Sequence, residues 1–304
     1  MEQRLANRPE PNDQPDIDMH ASASLPGPRP SDIGTAALHG APFRLGMPHL
    51  SAEGVHLSWL LREACHMHWS IVAKRMNISP SAFLDQNGAR VLPSVVGCTF
   101  NGDATQFHEH DLCQFIVAEM PRPENGWRIH VDLVKQDGRR LSAEIITAFS
   151  RRNGPSNLDL KRAELDRSFS TLKTGEAAER TNFIRTHGGV DRASAEQDQD
   201  PPHLSVQIDQ TTHINGVGLV YFASIHDMIA RSEANALPKL IHPGGVRSRR
   251  IHYFGNLDAG DFLDITTRAL VQSVAPNASI VVRSHARRAS DDAVISVAES
   301  HYSA

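Results

Sequence analysis

Tyrosine is nearly missing from this chain. Of 304 residues only Tyr221, Tyr253 and Tyr302 are tyrosine, all in the second half, and aromatic residues together make up 6%. The core must therefore come from Val, Ile, Leu and Ala. Cysteine is as scarce: Cys65, Cys98 and Cys113 form no CxxC pair and sit in apolar surroundings, as reduced, buried thiols of a cytosolic protein do. No uninterrupted apolar run reaches the roughly 18 residues of a membrane span. The first residues, MEQRLANRPEPNDQPD, lack the apolar centre of a secretory signal, so the expectation is a cytoplasmic protein without membrane contact. Basic excess is absent too: 31 Lys and Arg face 35 Asp and Glu, a net charge of −4, which gives no support for nucleic-acid binding.

What is present is one pattern written twice. Residues 1–40 are rich in Pro, Asp, Ser and Gly without periodicity and read as a disordered arm. Over 41–150, an apolar segment at 56–75 precedes four strand-like runs, RVLPSVVGCTF, LCQFIVAEM, WRIHVDLVK and LSAEIITAFS. Over 203–304, an apolar segment at 217–234 precedes RSRRIHYFG, FLDITTRALV, ASIVVRSHARR and AVISVAESHY. Leu57, Leu60, Leu61, Ala64, Cys65, Trp69 and Val72 follow a helical spacing that predicts a buried helix. The alternation in RIHVDLV and SIVVRSHA predicts half-buried antiparallel strands. A helix followed by four antiparallel strands, twice, is an α+β double hot-dog: two antiparallel sheets, each wrapping a central helix. Residues 151–202 read as a surface linker with room for one short helix.

The stretch THINGVGLVYFASIHDM, 212–228, carries the chemistry. A helix starting near Val217 would present unpaired N–H groups and the positive end of its dipole. Gly216 and Gly218 would let a ligand approach that backbone, with Val217 and Tyr221 beside it. Such a terminus suits a thioester carbonyl oxygen or the oxyanion formed from it. Asn215 is either a cap for the helix or a group that orients the acyl chain. His213 matches His49 at an offset of 213 − 49 = 164, and Asp227 and Glu63 each lie 14 residues after their histidine. His and acid together suit general acid/base work, or the acids merely reach a groove edge. HMH (66–68) and HEH (108–110) raise a metal site, but helical positions i and i+2 point about 200° apart. No third ligand accompanies His108 and His110 on a strand face, and no metal is expected. Arg249 and Arg250, with Arg287 and Arg288, are placed to meet phosphates or an acidic partner, or form a solvated strand edge.

INGVGLVYFAS (214–224), GMPHLS (46–51) and YFGNLDAGD (253–261) resemble the leinamycin-pathway bifunctional acyltransferase/decarboxylase family, double hot-dog proteins of polyketide biosynthesis. The resemblance covers about 41–150 and 203–302. It implies an acyl-CoA substrate bearing an α-carboxylate, transfer of the acyl group to an acyl carrier protein, and decarboxylation. In that family the covalent intermediate sits on a tyrosine of the first unit; here Leu92 stands near that place, and Cys98 is either a substitute nucleophile or a core thiol. The expected function is acyl-thioester decarboxylation or acyl transfer with no cofactor beyond the substrate's own thioester carrier. Dehydration or isomerisation of β-hydroxyacyl thioesters, thioester hydrolysis, and a non-catalytic carrier-docking module are the alternatives. Further dimerisation of the double unit is left open.

Overall fold

The computed structural model describes residues 38–52, 54–75, 77–79, 83–85, 87–119, 127–163, 192–197, 200–238, 245–271 and 279–303. Residues 1–37 of the expected arm, and 164–191 and 198–199 of the expected linker, lie outside them. Four short strands, β1 (Leu38–His39), β2 (Phe43–Arg44), β3 (Leu50–Ser51) and β4 (Gly54–Val55), lead into helix α1 (Leu57–Arg75). Strands β5 (Leu92–Gly102), β6 (Leu112–Glu119), β7 (Trp127–Lys135) and β8 (Arg140–Arg152) follow, then β9 (Leu160–Ala163). A helical segment α2 (192–197) and β10 (Leu204–Gln207) precede helix α3 (Phe222–Ala236). The chain ends with β11 (Val246–Tyr253), β12 (Phe262–Val271), β13 (Ser279–Arg288) and β14 (Val294–Ser303). The helix-then-four-strands unit thus occurs twice.

Where the sequence predicts two sheets, the eight main strands join into one. Their order is β6-β7-β8-β5-β11-β14-β13-β12, a mirror arrangement with the first strand of each unit at the centre. β5 and β11 pair antiparallel from Ser248↔Asn101 to His252↔Gly97. The physical reason is the edge: each strand would otherwise expose a row of unpaired N–H and C=O groups. At the rims, β1 and β2 pair with β6, β10 with β12, and β9 with β8. Two expected boundaries therefore shift. The end of the arm is already strand, and the linker begins as sheet, with β8 running to Arg152 and β9 folded back on it.

α1 packs against β8, α3 against β12 and β13, and the two helices against each other. Leu60, Leu61 and Ala64 of α1 share one core cluster with Ala223, Ile225 and Ile229 of α3 and with Ile145, Ile251 and Ala298 of the sheet. Alternation explains the strand contribution: Leu141, Ala143 and Ile145 of β8 are buried while Ser142 and Glu144 between them are half-buried. Among the described residues no helix is long and apolar enough to cross a membrane.

Among the polar groups buried in this packing, His68 and Glu233 carry the clearest consequences for stability. His68 of α1 is fully enclosed, with Nε2 2.7 Å from Thr147 Oγ1. Burial pulls its pKa from 6.5 down to about 3, so the folded chain refuses a proton that the unfolded chain accepts. Stability should fall as pH drops from about 6.5 towards 3, by roughly 1.4 kcal/mol per pH unit for this one proton. Urea midpoints measured across that window should show a shallower slope in His68→Gln. The second group is Glu233 of α3, 0% exposed, whose carboxylate receives Arg249, Tyr302, Ser300 and Ser284.

Candidate functional site

A cavity of about 640 Å³ opens between α1, the start of β5 and the segment leading into α3. Trp69, Leu92, Val95, Leu219, Val220 and Ile225 give it an apolar wall. Its polar lining comes from His66, Arg90, Arg192, Asn215, Asn256 and Arg288, together with Ser94, Ser150, Asn157, Tyr221 and Tyr253. Among the described residues, neither Asp nor Glu lines it.

The segment before α3 is a closed turn, which corrects the expected helix start at Val217. Ile214 and Val220 form a bridge, and Asn215 N–H donates to Leu219 C=O at 2.8 Å. Asn215 Oδ1 accepts from the N–H groups of Val217 and Leu219, each at 3.1 Å, so this side chain caps the turn rather than the helix. Asn256 Oδ1 takes the Val220 N–H at 3.0 Å. Gly218 completes the turn at φ +81°, a left-handed conformation that a helix cannot contain. α3 starts only at Phe222, and its first turn has no side-chain cap.

The first unit holds this turn from outside. Asn157 Nδ2 donates to Gly218 C=O at 2.8 Å and Leu257 C=O at 2.9 Å, and Arg152 donates to Val217 C=O at 3.2 Å. A Cβ on Gly218 would sit 3.2 Å from that arginine, whereas one on Gly216 would meet nothing within 4 Å. Gly218→Ala should therefore lose about 1–2 kcal/mol, and Gly216→Ala should leave the urea midpoint unchanged. Equal midpoints for the two variants would remove the left-handed turn from the explanation.

With the Asn215 oxygen occupied, its NH₂ is the group left to donate into the cavity. The Val217, Leu219 and Val220 N–H groups are already engaged, so the uncapped amides at the start of α3 lie at Phe222 and Ala223.

The residues expected to act are spread over several places. Asn215, Gly216, Val217 and Tyr221 line the cavity; His213, His49, Glu63, Asp227, Arg249 and Arg250 do not, and neither does Gly218. His213 Nδ1 accepts the Asp209 N–H at 2.9 Å, and His49 Nδ1 accepts the Gly46 N–H at 2.8 Å. The two histidines are structural counterparts, each tying off the loop before a helix. Their carbonyls accept from Tyr221 and His56 respectively, so the helix starts match at 221 − 56 = 165. At that offset Asp227 corresponds to Arg62, not Glu63, and the two equal spacings do not mark equivalent acids. Arg62 lies over the Tyr221 ring at 5.4 Å. Asp227 is half-buried; burial raises its pKa, but His226, His56 and Ser58 outweigh that and hold it below the usual carboxylate range.

Arg249 is 2% exposed and belongs to the Glu233 cluster, while Arg250 reaches Glu299 at 3.6 Å. Burial pushes the Cys98 thiol up to about 12, so at neutral pH it is a protonated core thiol, 3.7 Å from the Tyr253 hydroxyl. Leu92 does reach the cavity wall. His66 faces the cavity and His68 the core, and His108 and His110 lie in the turn before β6 rather than on a strand. Among the described residues no group of three His, Cys, Asp or Glu is placed to hold a metal ion.

The sequence offers His66 only as a metal ligand, places Arg90 in the run RVLPSVVGCTF and Asn256 in YFGNLDAGD without a role for either, and leaves Asn157 and Arg192 in the linker. A histidine on the cavity-facing side of the predicted helix was the one signal available. Of the other four, Arg90 and Asn256 stand at the ends of strand-like runs and Asn157 and Arg192 in the linker, where no periodicity assigns a direction.

No protein-family model and no curated protein matches the chain. Solved structures do. A protein assigned as an oleoyl thioesterase from Lactobacillus plantarum superposes with a TM-score of 0.64 at 9% identity, over 89% of this chain and 97% of that one. An acyl-ACP thioesterase from Bacteroides thetaiotaomicron gives 0.57 at 11% identity, over 87% and 96%. The chain has the fold of these thioesterases. The 12:0-ACP thioesterase from Umbellularia californica gives 0.56 at 8% identity, over 88% and 93%, so the likeness extends through both helix-and-four-strand units.

Proposed function

We propose that this protein is an enzyme of acyl-CoA or acyl-carrier-protein thioesters, and that hydrolysis is its reaction. The observation that carries the reading is the cavity of about 640 Å³, apolar along its wall, with Asn215 and His66 on its lining. The acyl chain lies against Trp69, Val95 and Ile225, a size and lining ordinary for a small-molecule site. The thioester oxygen faces the Asn215 NH₂ and the start of α3, where negative charge that develops on it is stabilised. His66 takes a proton from water as the water oxygen bonds to the thioester carbon. The tetrahedral intermediate collapses by breaking the C–S bond, and the proton returns to the departing sulfur. Free acid and thiol result, with no metal or organic cofactor required. Three thioesterases sharing the fold over nearly their whole length support this choice.

A second reading, decarboxylation with acyl transfer, is favoured by one feature: a polar lining that includes His, Arg and Asn and, among the described residues, no carboxylate. An α-carboxylated acyl group could lose CO₂ there without an added acid, leaving an enolate on the same oxygen site. Dehydration would need a carboxyl, and Asp227 and Glu63 lie outside the wall. Incubation with a series of acyl-CoA and acyl-carrier thioesters, followed by mass spectrometry, separates these. Free thiol with the intact acid supports hydrolysis; loss of 44 Da supports decarboxylation and loss of 18 Da dehydration, masses set by CO₂ and water. Unchanged thioesters throughout would leave a binding module and reject the enzyme reading.

A further inference from the structure

The geometry points to an anion-binding mouth on this cavity, in which Arg90 and Arg192 hold a phosphate of the substrate's pantetheine arm; this rests on the acyl-thioester reading. The arginines that the sequence suggested for this task are buried or half-buried in ion pairs. Arg249 is enclosed with Glu233, Arg250 reaches Glu299, and Arg287 donates to Asp292 and the Ala195 carbonyl. Arg288 lines the cavity but is 8% exposed, with a two-pronged bond to Asp291 at 2.8 and 2.6 Å.

Arg90 and Arg192 differ in being exposed cavity residues from two separate elements. Arg90 closes the turn between α1 and β5, which the Val91 N–H to Phe83 C=O bond at 3.0 Å holds in place. Arg192 opens α2, with its guanidinium carbon 5.8 Å from the centre of the Phe254 ring and its Nε 2.9 Å from Glu196 Oε1. Stacking against an aromatic face orients a guanidinium while leaving its other N–H groups free to donate. Trp69, Val95 and Ile225, against which the acyl chain is placed, are apolar, and among the described residues no carboxylate lines the cavity. An anionic group cannot follow the acyl chain inward without losing its hydration, so it stays at the entrance. Guanidinium forks match phosphate oxygens there. Coenzyme A and a carrier's phosphopantetheine offer the same chemistry, a phosphate at the outer end of a pantetheine arm.

Calorimetric titration with coenzyme A, phosphopantetheine and pantetheine tests this directly. Against the wild-type protein, removing the phosphate from the ligand should weaken binding about 10-fold. Arg90→Ala and Arg192→Ala should each weaken coenzyme A by a similar factor, leave pantetheine unchanged, and keep the wild-type urea midpoint. Arg139→Ala, an exposed arginine in the β7–β8 turn, serves as the neutral control. Equal affinity for coenzyme A and phosphopantetheine places the essential contact at the phosphate next to pantetheine, whereas tighter coenzyme A adds a contact from its nucleotide; both support the mouth. Pantetheine binding as tightly as coenzyme A, or arginine variants that bind coenzyme A like the wild type, would overturn it. Thioesters that bind in this phosphate-dependent way and are never converted would reject the enzymatic reading and leave the mouth standing.

Discussion

Replacing Glu233 with alanine should cost the fold about 3–5 kcal/mol. The residue sits on α3 at 0% exposure, and four side chains converge on its carboxylate. Arg249 forms the ion pair, Tyr302 donates at 2.6 Å, Ser300 at 2.8 Å and Ser284 at 3.1 Å. Truncation would leave the Arg249 guanidinium buried with Ser300, Tyr302 and His226 as partners and without a counter-charge. A stranded buried charge is the expensive outcome, more so than the lost hydrogen bonds. Glu233→Gln, which keeps the shape and one acceptor oxygen for Ser284 and Ser300, should lose less than alanine does. Urea unfolding of the three proteins measures the order directly. A Glu233→Ala midpoint close to wild type would mean that the cluster contributes no net stability. Because the pair lies away from the cavity, turnover per folded molecule should survive in any variant that still folds.

Replacing His66 with alanine should act in the opposite way. Loss of a general base lowers kcat by about 10²–10⁴-fold, while an exposed side chain without a packing role leaves stability within about 0.5 kcal/mol. The Ser70 Oγ to His66 carbonyl bond at 3.0 Å, like the helix's own hydrogen bonds, belongs to the backbone and survives the substitution. Parallel measurement of kcat and of the urea midpoint separates chemistry from folding. His213→Ala is the informative comparison. Its imidazole holds the Asp209 N–H, so its removal should lower stability first and disturb the turn that carries Asn215 second. Full turnover in His66→Ala together with lost turnover in folded His213→Ala would move the base to His213.

Much of the fold was legible because periodicity is local. Leu60, Leu61, Ala64 and Cys65 recur at helical spacing, and the helix they predict runs over Leu57–Arg75. The eight strand-like runs that follow the two apolar segments likewise form strands β5–β8 and β11–β14, with alternation clearest in RIHVDLV and SIVVRSHA. The start of α3 was misplaced because the polar, glycine-bearing opening reads equally well as a helix cap or as a closed turn. What separates the two is the Asn215 side chain, which bonds Val217 and Leu219, and the latch supplied by Asn157, 61 residues before Gly218 in the chain. Arg249 was misplaced for a related reason: an arginine on a strand reads as exposed unless a carboxylate is known to lie beneath it, and Glu233 belongs to another element.

The sequence by itself determined the duplicated helix-and-strand order and the lack of a spanning helix among the described residues. Only the tertiary structure decided that the strands of both units join through β5 and β11 into one sheet, and that His66, Arg90 and Arg192 share a cavity with Asn215. Apolar spacing records which side of an element is buried. It does not record which distant side chain will stand opposite, and a site is made of such meetings.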